Sequence, residues 1–254
     1  MIRLSTALLA AALLAATPAA AASVEAFRSG DWATAMRDGR AENTVDSLII
    51  AGRAQLAVAG YQANDKTRAL ALIAAAERDF DAVLARDPRN SDAELQKAVA
   101  IAYRAQLTRG ISLAKDVRRR FEALRAAHPE NPLVWSALGG WHGGAIAAVG
   151  SFVAGSVLGA KRAEMERCYA QALKLAPNLP STRVFYAITL MDLDAENAPR
   201  AAALLKGMDA LPAHDGLELL LKRAGLELAA ALAKGDADAA QATARKLKAF
   251  AKVS

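Results

Sequence analysis

Apolar residues recur along most of this chain at spacings of three and four, which places them on one face of an α-helix. After Pro88, for example, Leu95, Ala98 and Ala102 follow this spacing. Runs that alternate apolar and polar positions and are rich in β-branched residues, as strands are, do not occur. Alanine dominates the 54% of hydrophobic residues, and aromatic residues make up only 5%, which favours closely packed helices. The pattern predicts an all-α protein.

Three segments repeat one arrangement, in which an aromatic residue on a helix is followed eight residues later by a proline. The pairs are Phe80 with Pro88, Phe121 with Pro129, and Tyr169 with Pro177. The aromatic belongs to the buried stripe of its helix, whereas proline cannot continue a helix and turns the chain into the next one. A fourth, weaker copy ends at Pro212, with Leu204 in the aromatic position. The repeat predicts a stack of about ten to twelve helices.

The helix after Pro129 carries a motif that reads W-x2-L-G-x2-H. Its residues are Trp135, Leu138, Gly139 and His142. The motif resembles the first helix of the tetratricopeptide repeat family, W-x2-L-G-x2-Y, with His142 in the place of the tyrosine. Ala76, Phe80 and Pro88 match the second helix of that repeat. The resemblance covers most of residues 25–250 and implies a right-handed α-solenoid of antiparallel helix pairs.

The spacing of the prolines indicates an insertion. Pro177 and Pro212 are 35 residues apart, close to the family's 34, whereas Pro129 and Pro177 are 48 apart. The excess coincides with the uncharged stretch 143–159, which reads GGAIAAVGSFVAGSVLG. A tryptophan–histidine helix before such an insertion is also similar to tetratricopeptide proteins of the regulator-of-microtubule-dynamics type, a similarity that implies no function.

Two interpretations of the stretch 143–159 remain open. It fills the concave side of the solenoid or caps a neighbouring helix, or it forms a mobile apolar flap that holds a peptide, a lipid or a partner helix. Its length and its glycines argue against a membrane span.

The resemblance implies that the first helix of each pair lines the concave surface. On this helix and its insertion lie the candidate partner-binding residues, which are Leu133, Ser136, Gly140, Gly143, Ile146, Val149, Phe152 and Val153. The first four predict an open, apolar groove rather than the basic clamp that captures peptide carboxylates.

The first 22 residues predict export. Arg3 supplies a positive charge, an apolar run covers residues 4–14, and Ala20, Ala21 and Ala22 form the small-residue pattern of a signal-peptide cleavage site. Cleavage after Ala22 leaves residues 23–254 as one helical-repeat domain, and we expect it in the periplasm of a bacterial envelope. The alternative is an N-terminal membrane anchor that is not cleaved.

Charge and chemistry narrow the function further. The net charge is +6, and the densest basic cluster, within residues 104–125, predicts a solvated helix face or, alternatively, weak contact with anionic lipid or an acidic partner. Nucleic acid is not expected in this compartment. His128, His142 and His214 lack metal-ligand spacing, and the chain has no nucleophile elbow, phosphate-binding loop or dinucleotide fingerprint. The sequence therefore predicts no cofactor, no metal and no enzyme.

The function that these patterns favour is a non-catalytic scaffold or adaptor that binds a protein or peptide partner. A carrier of lipid or of a small apolar molecule, with the insertion lining a pocket, is the alternative, and a self-associating structural protein is a third. Cys168, the only cysteine, is expected to be a buried, inert thiol, with a disulfide between two chains as the alternative.

Overall fold

The computed structural model describes residues 22–253, and the regular structure in this range is entirely helical. The all-α prediction and the predicted number of helices are thereby confirmed. The predicted signal peptide lies outside the described residues, apart from Ala22. The helices are α1 (Ala22–Ser29), α2 (Trp32–Glu42), α3 (Val45–Tyr61), α4 (Lys66–Arg86), α5 (Ser91–Thr108), α6 (Ile111–Ala127), α7 (Pro132–Val153), α8 (Arg162–Leu175), α9 (Pro180–Leu193), α10 (Ala198–Leu205), α11 (Gly216–Leu232) and α12 (Ala237–Lys246). A π turn (Ala154–Leu158) and two 3-10 turns (Ala195–Asn197 and Met208–Ala210) complete the structure.

The three proline turns are built alike. They connect α4 to α5, α6 to α7, and α8 to α9. In each, the N–H of the residue before proline donates to the carbonyl four residues earlier, at 2.7 to 3.0 Å. The carbonyl of that same residue accepts the N–H of the second residue after proline, at 3.1 to 3.2 Å. Proline has no N–H to donate and biases its predecessor away from helical angles, so the helix ends there. The weaker copy at Pro212 lacks this turn, because α10 ends earlier and is followed by Gly207 and a 3-10 turn.

The repeated aromatic residues lie in the core, as their spacing predicted. Phe80, Phe121 and Tyr169 are all buried. Two of these rings lie against a glycine of the preceding helix, Phe80 against Gly52 and Tyr169 against Gly139. A Cβ at Gly52 would lie only 2.4 Å from the Phe80 ring, so the glycine makes this close approach of the two helices possible.

The two ends of the helical chain pack against each other. Helix α11 contacts α1, and Arg53 on α3 forms an ion pair with Asp215 at 2.9 Å. After α12, the Phe250 N–H donates to the Gly60 carbonyl at 2.6 Å, and the Phe250 ring packs edge-on against Tyr103. An open array of repeats keeps its two ends apart. In this chain the ends are joined by contacts of α1 with α11 and of α3 with the residues after α12, which are far apart in sequence.

This contact between the ends encloses α3. Twelve of its 17 residues are buried, including residues on every side of the helix. Neighbours of α3 include α1, α2, α4 and α5, and the chain after α12 lies against it as well. Helix α3 therefore does not line an open groove.

A substitution at Gly216 tests the packing of the two ends against each other. A Cβ at Gly216 would lie 2.6 to 2.7 Å from backbone atoms of Gly30 and Phe27, so Gly216→Ala must push the two ends apart. We expect it to lower the free energy of unfolding in urea by about 2–3 kcal/mol. The control is Gly144→Ala, also helical and with no atom within 4 Å, which should raise that free energy by about 0.5–1 kcal/mol. Equal stabilities of the two variants would contradict the packing of the ends.

Candidate docking surface

Helix α7 changes direction near its end. Its earlier part is packed so closely that a Cβ at Gly143 would lie 2.2 Å from the Thr189 methyl group. At Gly150 the backbone leaves helical geometry, with φ 78° and ψ 156°, a conformation that favours glycine. The chain continues through the π turn and returns to α7, where Ala154 and Ala160 pack on Ile146. Residues 147–153 and the π turn thus form a projection from the helical stack.

Four large apolar side chains are exposed on this projection. They are Val149, Phe152, Val153 and Val157, and we call them the apolar tip. Phe152 is 86% exposed, the highest value among the large hydrophobic residues that are exposed in the described range. No charged residue occurs between positions 143 and 160. Contiguous exposed apolar patches mark sites of contact with a protein, a ligand or a membrane.

The base of the projection is held by polar contacts. Arg118 on α6 donates from Nη1 to the Leu158 carbonyl at 2.6 Å, and His142 on α7 accepts the Lys161 N–H at Nδ1, at 3.2 Å. Ala154 and Ala160 also pack on Ile146. These contacts fix the two segments of the chain on either side of the tip. The insertion is therefore neither wholly core nor wholly exposed, because its base is packed and its tip is not.

The structure separates the eight candidate partner-binding residues. Val149, Phe152 and Val153 lie together at the apolar tip, and Leu133 is 39% exposed but lies near the start of α7. The other four are Ser136, Gly140, Gly143 and Ile146; Gly140 is half-buried, and the remaining three are buried. The expected open groove along the first half of α7 was wrong, because small residues there let α8 and α9 pack against it instead of leaving space.

Two contributors to this surface were missed from the sequence. Val157 belongs to the same uncharged, apolar stretch as the candidates and could have been included on that ground, although its exposure depends on the course of the chain after Gly150. Arg118 could not be recognised, because its contact with Leu158 joins residues 40 positions apart.

Burial changes the acid–base behaviour of His142. The side chain is 3% exposed, and desolvation lowers the pKa of its imidazole to about 4, with a weaker opposing effect from the nearby Glu164. The ring is therefore neutral at pH 7, which is the form in which Nδ1 can accept the hydrogen bond from Lys161.

Two basic residues follow the apolar tip in the chain. Lys161 and Arg162 follow the projection directly, are exposed and make no ion pair within residues 22–253. The basic cluster on α6 differs from these two residues, because most of its positive charges are paired with carboxylates. Its ion pairs are Arg118 with Glu122, Arg119 and Arg120 with Asp116, Arg125 with Glu164, and, from α5, Arg104 with Glu77. That helix face is thus a network of ion pairs.

Reactive groups are sparse in the described part of the chain. No group of three or more His, Cys, Asp or Glu side chains there could hold a metal ion. Cys168 is fully buried, and desolvation raises the pKa of its thiol. Two shallow surface depressions lie near α8 to α11, lined by residues such as Leu173 and Leu204 in one and Leu205 and Leu232 in the other. Neither depression involves the apolar tip.

Residues Pro132–Leu158 form one helix that is long and apolar enough to cross a membrane, by length and composition alone. Residues 143–159 alone were expected to be too short and too rich in glycine for a span, whereas the helical segment extends back to Pro132. The earlier part of this helix belongs to the core, through residues such as Val134 and Leu138. A single helix of this kind is weak evidence for a span, since core helices pass the same criteria.

The chain matches no protein-family model, and no curated protein matches it. Function must therefore be inferred from the geometry of the chain itself.

The buried His142 predicts a pH dependence. Because its pKa is lower in the folded state than the ordinary value of about 6.5, the unfolded state binds more protons between pH 6.5 and 4. The free energy of unfolding should therefore fall as the pH is lowered through this window, by up to about 3 kcal/mol from His142.

The matched variant is His142→Asn, whose amide oxygen can replace Nδ1 as the acceptor but does not titrate. Urea unfolding of both proteins at pH 7 and at pH 4.5 measures the effect. We expect the variant to lose less stability than the unchanged protein on acidification, while carboxylates such as Asp116 contribute equally to both. Identical pH slopes would show that His142 is not the group responsible.

Proposed function

We propose that this protein is an exported, non-catalytic scaffold that docks onto a protein partner through its apolar tip. The observation that carries the proposal is the exposure of Phe152, with three valines around it, on a projection whose base is fixed. The exposed, uncharged tip gives the protein an apolar contact surface, and its anchored base means that little ordering is required when a partner binds.

The same proposal includes a tetratricopeptide-like α-solenoid of antiparallel helix pairs. Three equivalent proline turns support it, as do the contacts between the first helices of successive pairs, α3 with α5, α5 with α7, α7 with α9, and α9 with α11. The turns repeat the local geometry, and the contacts repeat the order of packing that a solenoid requires. The signal-peptide pattern at residues 1–22 supports a location in the periplasm.

A protein partner fits the shape of the tip. A single exposed aromatic ring, on a segment that also exposes three valines, resembles the anchors that carry most of the binding energy in protein interfaces, where an aromatic residue fills a pocket of the partner. Since Phe152 is exposed and is not set in a pocket of this chain, we expect the partner to supply the concave surface. This reverses the role of the expected groove, in which the present chain would have enclosed a peptide.

Peripheral contact with an anionic lipid surface is a second candidate, and two observations favour it. Lys161 and Arg162 lie beside the uncharged tip, so an apolar insertion and a positive charge occur together. The segment that carries the tip, Pro132–Leu158, is also long and apolar enough to cross a membrane, by length and composition. Basic residues flanking an inserted apolar group strengthen binding to anionic bilayers. A lipid carrier would need an enclosed apolar space, which the apolar tip does not provide.

A photoreactive amino acid at position 152 tests the proposal. Irradiated in intact cell envelope, it should cross-link a defined protein, since Phe152 is placed at the centre of the interface. The control carries the same group at Leu226 on α11, a similarly apolar but separate exposed position. The same partner cross-linked from both positions, or none from 152, would contradict a specific protein contact at the tip. A cross-link to a second copy of the chain would instead support self-association.

The variant Phe152→Asp tests whether the apolar tip is needed to bind the partner. Because the side chain is almost fully exposed, we expect the free energy of unfolding to change by less than about 0.5 kcal/mol, whereas capture of the cross-linked partner by purified protein should fall at least tenfold. Leu226→Asp should leave capture unchanged. Flotation with vesicles that contain anionic lipid distinguishes the second candidate: a Phe152-dependent shift to the vesicle fraction, without a protein partner, would favour a lipid surface.

A further inference from the structure

The first turn of α1 is held by a carboxylate from the end of α2. The Ser23 backbone N–H donates to Glu42 Oε1 at 3.0 Å, and the Ser23 hydroxyl donates to Glu42 Oε2 at 2.5 Å. Ser23 is fully buried, and Glu42 is half-buried. Both oxygens of one carboxylate therefore converge on a single residue, at its backbone nitrogen and at its side chain.

No basic side chain in the described part of the chain pairs with Glu42. The arginines on the same helix have other partners: Arg37 pairs with Asp38, and Arg40 with Asp79. A partly buried carboxylate is held most strongly when the group that donates to it carries a positive charge. The contact with Ser23 provides two donors to Glu42, and both are neutral as long as a peptide bond precedes Ser23.

The residue that Glu42 holds is also the first residue after the predicted signal peptide. Hydrolysis of the Ala22–Ser23 peptide bond by the endopeptidase that removes such leaders consumes one water molecule. Ala22 keeps a new carboxylate and leaves with the leader, and the Ser23 nitrogen takes up protons to become an α-ammonium group. No other bond changes. The new charge then lies at the nitrogen that already contacts Glu42.

We propose that Glu42 is the binding site for the α-ammonium group that this cleavage creates, so that processing converts a neutral hydrogen bond into an ion pair that fixes α1 on α2. A positive charge at a helix N-terminus opposes the helix dipole, and the Glu42 carboxylate offsets that cost at the same place. The ion pair acts near a second contact, because Phe27 of α1 is buried beside Trp32 and the same helix meets α11. Removal of the leader thereby strengthens the packing of the two ends of the chain.

The start of the processed chain is the first test. The full-length chain, exported in a bacterial host and purified from its envelope, should give Ser23 as the first residue by N-terminal sequencing and a matching intact mass. A mature chain that starts at any other residue, or one that keeps its leader, would overturn the proposal.

A thermodynamic cycle is the second test, made on the chain that begins at Ser23. Free and Nα-acetylated preparations are compared in the Glu42 protein and in Glu42→Gln. Acetylation should lower the folding equilibrium constant about tenfold in the Glu42 protein, equivalent to about 1.4 kcal/mol, and less than twofold in Glu42→Gln. Equal losses in the two backgrounds would overturn the proposal, whatever partner binds at the apolar tip.

Two further variants complete the cycle. Glu25→Gln removes an exposed carboxylate from α1 itself and should keep the tenfold effect of acetylation, because Glu25 lies beside Arg28 rather than Ser23. If Glu42→Gln does not fold, Glu42→Asp retains the charge on a shorter side chain and should show a smaller effect of acetylation than Glu42. An unchanged effect in Glu42→Asp would overturn the assignment of Glu42.

Discussion

The structure depends on how closely neighbouring helices approach each other. Two of the three aromatic rings at the repeat positions lie against the backbone of the preceding helix, Phe80 at Gly52 and Tyr169 at Gly139. Such contacts need a residue without a side chain on one helix and a large ring on the other, and they bury apolar area without leaving a void. The proline turns then place the next helix, and the many small alanine side chains allow the remaining helix surfaces to pack closely.

The elements that could be predicted from the sequence are those with local causes. The aromatic–proline spacing indicated three of the turns because both residues act within one helix and its end. The weaker fourth copy is less regular, since the helix that carries Leu204 ends at Leu205 and Gly207 adopts a left-handed conformation before Pro212. The packing of the ends was not predictable in the same way: the contact of Arg53 with Asp215 spans 162 residues, and no periodic pattern encodes it.

The candidate site likewise has a part that could be predicted from the sequence and a part that could not. The uncharged stretch 143–159 was recognisable from composition, and its most exposed residue, Phe152, was among the candidates. What composition could not supply was the break at Gly150, which separates the packed part of the insertion from the exposed part. The glycines before it were interpreted as open space in a groove. They act instead as points of contact, because the absence of a Cβ allows close packing as readily as it leaves room.

The packing of α11 and the C-terminal residues against α1 and α3 has a consequence for how the molecule unfolds. In an open array of repeats each unit contacts only its neighbours, so an end can fray while the remainder stays folded. Here neither end is free, and loss of α1 also removes contacts of α11. We expect the described domain to unfold as one cooperative unit, and to fold more slowly than an open array of the same length, because contacts between distant residues must form before the ends are stabilised.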